Sequence, residues 1–115
     1  MSYPFRGEIY WVKLPGHPSD TKRRPALIVS MNVRNRLAND VIVVPLSTNL
    51  RPAPTHVELP DGEGGLKETS MAKCEQVTTL DKSFLLRGPF AGTINPSFMR
   101  KIETAIQCAV GIVVI

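Results

Sequence analysis

Ten prolines and eight glycines punctuate this chain, and they limit what it can fold into, because neither residue is at ease inside a long helix. The apolar stretches between them are short and rich in β-branched residues. EIYWVKL (8–14), RPALIVS (24–30), VIVVPLS (41–47) and THVEL (55–59) each read as a strand. VIVVPLS is almost continuously apolar and is expected to be central, with both faces buried. THVEL alternates cleanly and should have one wet face. One segment departs from the pattern. Between Pro96 and Val110 the residues Phe98, Met99, Ile102, Ala105, Ile106, Ala109 and Val110 recur at helical spacing, after an Asn95 cap and before Gly111.

The remaining segments complete a mainly β plan with some α. SMNVRNRLAND (30–40) suits a short helix, with Ser30 or Asn32 as N-cap. PDGEGG (60–65) is a turn. TSMAKCEQVTTL (69–80) alternates over most of its length and reads as one strand, which would set Met71, Lys73, Glu75 and Val77 on a common face. Phe90–Ile94 is expected to be a last short strand or edge hairpin. Strands followed by one amphipathic helix predict a small, strongly bent sheet or SH3-like barrel closed by that helix, as a single domain over residues 1–115.

Composition removes several classes of function. The runs Val41–Leu46 and Ala109–Ile115 fall well short of the roughly 20 apolar residues a membrane span needs. The opening MSYPFRGE has no apolar signal core, so a cytoplasmic protein without a membrane partner is expected. Cys74 and Cys108 have no zinc-ligand spacing and read as small core residues. No metal or cofactor is expected. The net charge of +4 suits an anionic partner such as nucleic acid.

No compact catalytic motif is present, so chemistry must come from residues far apart in sequence. Arg23 and Arg24, preceded by Lys22, stand before a buried strand, and Pro25 biases Arg24 towards an extended backbone. A solvated strand-end arginine accounts for them, and so does a guanidinium aimed at a phosphate. Ser47, Thr48 and Asn49 end the most apolar strand, where hydroxyls can satisfy loop backbone or hold a phosphoryl oxygen. Lys73, Glu75 and Gln76 interrupt an otherwise apolar strand, as a solvated face or as a base and a phosphate-binding cation. His17 lies in the first loop near the basic run. His56, alternating with Val57, is expected to face water or a partner.

Taken in order, RGEIYWVKL, RRPALIVS, VIVVPLST, THVEL, GGLKETSMAKCEQVTTLDKS and a closing helix resemble the MazF/PemK family of toxin endoribonucleases from bacterial type II toxin–antitoxin pairs. The resemblance covers nearly the whole chain. It implies a CcdB/MazF-like barrel that forms a homodimer, cuts single-stranded RNA without a metal and is neutralised by an acidic, partly disordered antitoxin. The family's catalytic arginine, in its RP dipeptide, falls on Arg24. Its strand-ending hydroxyl falls on Ser47, followed by Thr48. In the Kid/PemK branch an arginine and an aspartate flank a cysteine, with a loop histidine. Here Lys73 and Glu75 flank Cys74, and His17 lies in the matching loop.

RNA carries its own nucleophile, since the 2′-hydroxyl can attack the adjacent phosphorus and leave a 2′,3′-cyclic phosphate. Arg24 suits the cation that steadies the phosphorane, Ser47 an anchor for an oxygen, and Glu75 or His17 a proton carrier. Phe5, Tyr10 and Trp11 are candidates for reading unstacked bases. Two other readings stay open: a gyrase-poisoning toxin of the CcdB branch, and a noncatalytic nucleic-acid-binding barrel.

Overall fold

Seven strands and two α-helices make up the computed structural model, which describes residues 3–14 and 23–112. The strands are β1 (Ile9–Lys13), β2 (Arg23–Ile28), β3 (Asp40–Ser47), β4 (His56–Leu59), β5 (Ser70–Lys73), β6 (Thr78–Asp81) and β7 (Leu85–Arg87). Helix α1 spans Asn32–Leu37 and α2 spans Pro96–Ala109. The sheet runs in the order β4-β5-β3-β2-β1-β7, with β6 also paired to β3, and every pairing is antiparallel. The expected mainly β architecture with a C-terminal helix is therefore present.

β3 organises the sheet because it is the longest strand and is partnered on both edges. One edge meets β2 from Val43 to Pro45. The other meets β6 from Asp40 to Val43 and then β5 at Leu46 and Ser47. Two short strands thus share one edge of a long one. Between them the chain turns through a 3-10 segment, Cys74–Gln76. The single alternating strand expected over Thr69–Leu80 is broken there. Cys74 remains buried in the turn while Glu75 and Gln76 both face outward, so the alternation expected on to Val77 ends at Glu75.

The bend gives the sheet two cores. On one face α2 lays Met99, Ile102 and Ala105 against Ile9, Leu27, Val44, Leu46, Val57, Leu59 and Ala72. On the other, Val12, Ala26, Ile28, Val41, Val43 and Leu80 form a second core, with Tyr10, Leu14 and Leu85 packed on it. A 3-10 turn, Lys82–Phe84, carries the chain from β6 on β3 to β7 on β1, and so encloses this second core in a small barrel. Asn95 caps α2 by accepting from the Ser97 amide, and Pro96 follows at the first helical position, as the sequence predicts.

Three further expectations change. Phe90–Ile94 is irregular rather than a strand. It is tied to the first strand's flank by bonds from the Phe90 amide to the Ile9 carbonyl and from the Ile94 amide to the Gly7 carbonyl, both 2.9 Å. It runs so close to the turn at Gly65 (φ +87°) that a Cβ there would sit 2.9 Å from the Cβ atoms of Phe90 and Ala91. Cys108 lies on the exposed side of α2, while Cys74 is buried. Neither proposed residue caps α1 through its side chain, since Met31 holds the N-cap position. Ser30 instead bonds the buried Asn35, which reaches back to the Ser30 carbonyl at 2.9 Å.

Ile102 is fully buried in the interface between α2 and the sheet. Replacing it with alanine is expected to cost about 2–5 kcal/mol of unfolding free energy, as for other large-to-small core changes, read as a lower midpoint in urea denaturation.

Candidate active site

The two faces of β2 and β3 are fixed by one register. Ala26 lies across from Pro45 and Ile28 across from Val43, so Arg24, Ala26 and Ile28 share a face with Val41, Val43, Pro45 and Ser47. Ala26, Ile28, Val41 and Val43 belong to the barrel core. Arg24 and Ser47 are the next positions outward, each half-buried. Pairing stops at Ala26 and Pro45, where Pro25 and Pro45 have no N–H to extend a ladder. Carried past that last rung, the register sets Arg24 opposite Ser47. The strand ends open into a mouth at the end of the barrel.

Two further cations lie at these strand ends, on the face opposite to Arg24 and Ser47. Lys13 faces Arg23, and Val12 faces Arg24, across the last rungs of β1 and β2. Like charges directly opposite one another on paired strands repel. Among the described residues, no ion pair reaches Lys13, Arg23 or Arg24. An anion bound here relieves that repulsion.

Ser47 accepts a hydrogen bond from the Asn49 amide at 3.1 Å. Its oxygen thus satisfies loop backbone, as one reading of the sequence predicts, while its own O–H finds no acceptor among the described residues. The exposed Thr48 turns to the opposite face of the sheet and lines a cleft of about 470 Å³ with Trp11, Pro25, Leu66, Lys67, Arg87 and Phe90. The Trp11 and Phe90 rings stand 5.7 Å apart, tilted by 55°. Asn49 is exposed beside Ser47.

A second polar group lies on the other edge of β3, alongside Pro45 rather than past Ser47. Met71 pairs with Ser47, and Lys73, two residues along β5, pairs with His56 of β4. The next residues form the 3-10 turn that carries Glu75 and the exposed Gln76. Glu75 takes a bond from the Thr55 hydroxyl at 2.9 Å on Oε1 and meets His56 Nε2 at 3.0 Å on Oε2. His56 Nδ1 lies 2.6 Å from the Arg51 carbonyl oxygen. The bond to that carbonyl and then the bond to Glu75 hold the His56 pKa above its ordinary value, against the opposing effects of burial and of Lys73. Burial pushes the Glu75 carboxyl up, but bonds from His56, its own amide and Thr55 outweigh it, so its pKa is lowered. Burial, then the charge of Glu75, push the Cys74 thiol up to about 12, so it is not a ready thiolate.

The β2–β3 register, carried past its last rung, therefore sets Arg24 opposite Ser47, with Arg23 on the other face, and the turn after β5 carries Glu75 and Gln76 close to Lys73. His17 and Lys22 lie outside the described residues. Sequence reasoning missed the contribution of His56 and Thr55. Their signal was weak, because the contact with Glu75 spans 19 residues and depends on the 3-10 turn that alternation concealed.

A family model described as PemK-like, MazF-like toxin of type II toxin-antitoxin system matches residues 5–110. The curated relative Endoribonuclease MazF4 of Mycobacterium tuberculosis (strain ATCC 25618 / H37Rv) is 36% identical over 112 residues, covering 97% of each chain. Endoribonuclease EndoA of Bacillus subtilis (strain 168) is 26% identical over 112 residues, covering 94% of this chain and 95% of its own. Among solved structures, an endoribonuclease in complex with its cognate antitoxin from Mycobacterial species matches with TM-score 0.78 and 33% identity, covering 97% of this chain and 99% of that one.

The His56–Glu75 pair makes stability depend on pH in a bounded window. The lowered carboxyl pKa stabilises the fold above the unfolded value of 4.5, and that contribution is lost as pH falls through the folded value. The raised imidazole pKa stabilises it below 6.5, and that contribution is lost as pH rises through the folded value. The gap in urea stability between the native chain and Glu75→Gln is expected to be widest between these limits and to shrink on both sides. A gap independent of pH contradicts the pairing.

Proposed function

From the premise that the chain belongs to the PemK-like, MazF-like toxin family of type II toxin–antitoxin systems, we propose that it cuts single-stranded RNA at the mouth where Arg24 meets Ser47. It is an endoribonuclease toxin with an antitoxin partner. What supports the site is the β2–β3 register, which ends at Ala26 and Pro45 and, carried further, sets Arg24 opposite Ser47.

The reaction needs no metal. The 2′-oxygen attacks phosphorus, the P–O5′ bond breaks, the 2′ proton leaves for a base and the 5′-oxygen takes up a proton. The products are a 2′,3′-cyclic phosphate and a 5′-hydroxyl. The Arg24 guanidinium is permanently charged and grips two nonbridging oxygens as negative charge builds on them. The free O–H of Ser47 donates to one of the same oxygens. Glu75 is ionised at neutral pH and keeps lone pairs beyond those used by Thr55 and His56. Its lowered pKa makes it a weak base, so orienting the attacking hydroxyl is the larger part of its task. Lys73, Arg23 and Gln76 steady the backbone on either side.

The cleft behind Thr48 supports the choice of an unpaired strand. Trp11 and Phe90 offer aromatic surface to an unstacked base, with Lys67 and Arg87 placed for its phosphate. Dependence on a 2′-hydroxyl excludes DNA as a substrate for cleavage. The same cations suit an acidic, partly disordered antitoxin, which would compete with RNA for the mouth. Val33 and Leu37, one turn apart on α1 and 49% and 73% exposed, offer a second copy an apolar surface to cover in a homodimer. No helix among the described residues is long and apolar enough to cross a membrane, and the cytoplasm is where mRNA is within reach.

Purified protein incubated with single-stranded RNA in EDTA is expected to release fragments with 2′,3′-cyclic phosphate and 5′-hydroxyl ends. Arg24→Ala is expected to lower kcat/KM by about 10²–10³, the scale for losing one transition-state donor. Ser47→Ala, which removes one hydrogen bond, should lower it about tenfold. RNA that is bound in a salt-dependent way and never cut would favour the noncatalytic barrel. Inactivity on RNA with inhibition of gyrase would favour the CcdB-like reading.

A further inference from the structure

The chemistry proposed above gives His56 no task, yet its ring is held at both ends. Its Nδ1 lies 2.6 Å from the Arg51 carbonyl oxygen and its Nε2 lies 3.0 Å from Glu75 Oε2. At both contacts the partner can only accept, since neither a carbonyl nor an ionised carboxylate carries a proton. A neutral imidazole has a single N–H to offer. In that state one contact would set a ring lone pair against an oxygen lone pair. Only the imidazolium satisfies both.

These bonds join two pieces of chain that the proposed site needs together. Residues 48–55 form the loop that leaves Ser47, whose oxygen already takes the Asn49 amide. Near the far end of that loop, Arg51 offers its carbonyl to His56 and Thr55 gives its hydroxyl to Glu75 at 2.9 Å. Glu75 sits on the 3-10 turn after β5, and β5 pairs with Ser47 through Met71. The loop, β4 and the turn are therefore closed into one unit through a ring whose side chain is only 9% exposed.

We infer that protonated His56 is a positioning residue for RNA cleavage, its imidazolium clasping the loop after Ser47 to the Glu75 carboxylate. The inference rests on the endoribonuclease reading of the mouth. The groups that face the ring are the Arg51 carbonyl, Glu75 and, across the β4–β5 ladder, Lys73. The carbonyl and Glu75 favour the charged ring, while burial and Lys73 oppose it, with a net rise in the His56 pKa. The clasp is thus closed at mildly acidic pH, and stays closed to a higher pH than an ordinary imidazole would allow. As pH rises through the raised value, the ring gives up one N–H and one tether parts. A shift of the order of 1 Å in a reacting group can cost about 10² in rate, so the loss is read in kcat.

The test compares the native chain, His56→Gln and Arg24→Ala in RNA cleavage from pH 5 to 9, with the imidazole ¹⁵N signals of the native chain followed by NMR. Both ring nitrogens are expected to be protonated at pH 6, and the native kcat to fall on the alkaline side. Glutamine cannot bridge both partners and does not titrate. His56→Gln is therefore expected to show a kcat at pH 6 about tenfold or more lower, with a smaller change in KM and no alkaline fall of its own. A neutral His56 ring at pH 6 overturns the clasp whatever the cleavage data show, including the case in which His56→Gln does not fold. An unaltered rate and pH profile in folded His56→Gln overturns it as well. Full cleavage by Arg24→Ala instead overturns the reading of the mouth, and the ring signals then still decide the protonation state.

Discussion

The geometry of the mouth depends on β3 keeping one partner while losing the other. At Leu46 and Ser47 the strand is still bonded to β5, so its backbone stays extended and its side chains keep alternating. On the other edge the ladder with β2 ends at Pro45, and neither Pro45 nor Pro25 can donate a bond to prolong it. A gap therefore opens beside a strand that has not frayed. Arg24 enters the gap from a backbone restricted by the following proline and paired with Val12 on its other side. The guanidinium is flexible, but its point of attachment is not. That is preorganisation obtained from two missing N–H groups.

The gathered cations are tolerated because the cores beneath them are large by comparison. Each fully buried aliphatic side chain contributes roughly 1.5–3 kcal/mol, and Ile9, Leu27, Ile28, Val41, Val43, Val44 and Ile102 are all completely buried. An exposed charge contact is worth about 1 kcal/mol or less. Repulsion between Lys13 and Arg23 is thus smaller than the burial of a single isoleucine. The barrel core reaches almost to Arg24 and Ser47, so the mouth is built directly on packed residues.

The parts of this arrangement that were legible in the sequence are those governed by local periodicity. The helix after Asn95, the buried strand at Val41–Ser47 and the one wet face of THVEL follow from spacing, and all three are present. Thr69–Leu80 misled because a 3-10 turn places Cys74 inward and Glu75 outward, as a strand would, while rotating the residues after it. Alternation of period two does not register that rotation. Cys108 misled for a related reason, since composition says that cysteines are buried and only the helical phase shows this one outward. The pairing of Arg24 with Ser47 as a proposed site came from family resemblance and not from the chain read alone, because it depends on a register spanning 23 positions. The partnership of His56 with Glu75 was hidden twice, by distance in sequence and by the misread turn.

That partnership also bears on the phosphate-binding role proposed for Arg24. An arginine beside an available carboxylate forms a bidentate pair that an incoming phosphate must first break. Glu75 is the carboxylate on the turn that follows β5, and both of its oxygens are already engaged, one by Thr55 and one by His56. The histidine thereby satisfies a charge that would otherwise compete for the arginine. Moving the pairing one strand away costs little, since β4 and β5 are held together by their own ladder. In the proposed site it keeps the cation and the carboxylate from neutralising each other. A reaction that must both collect negative charge at phosphorus and orient a hydroxyl towards it requires that separation.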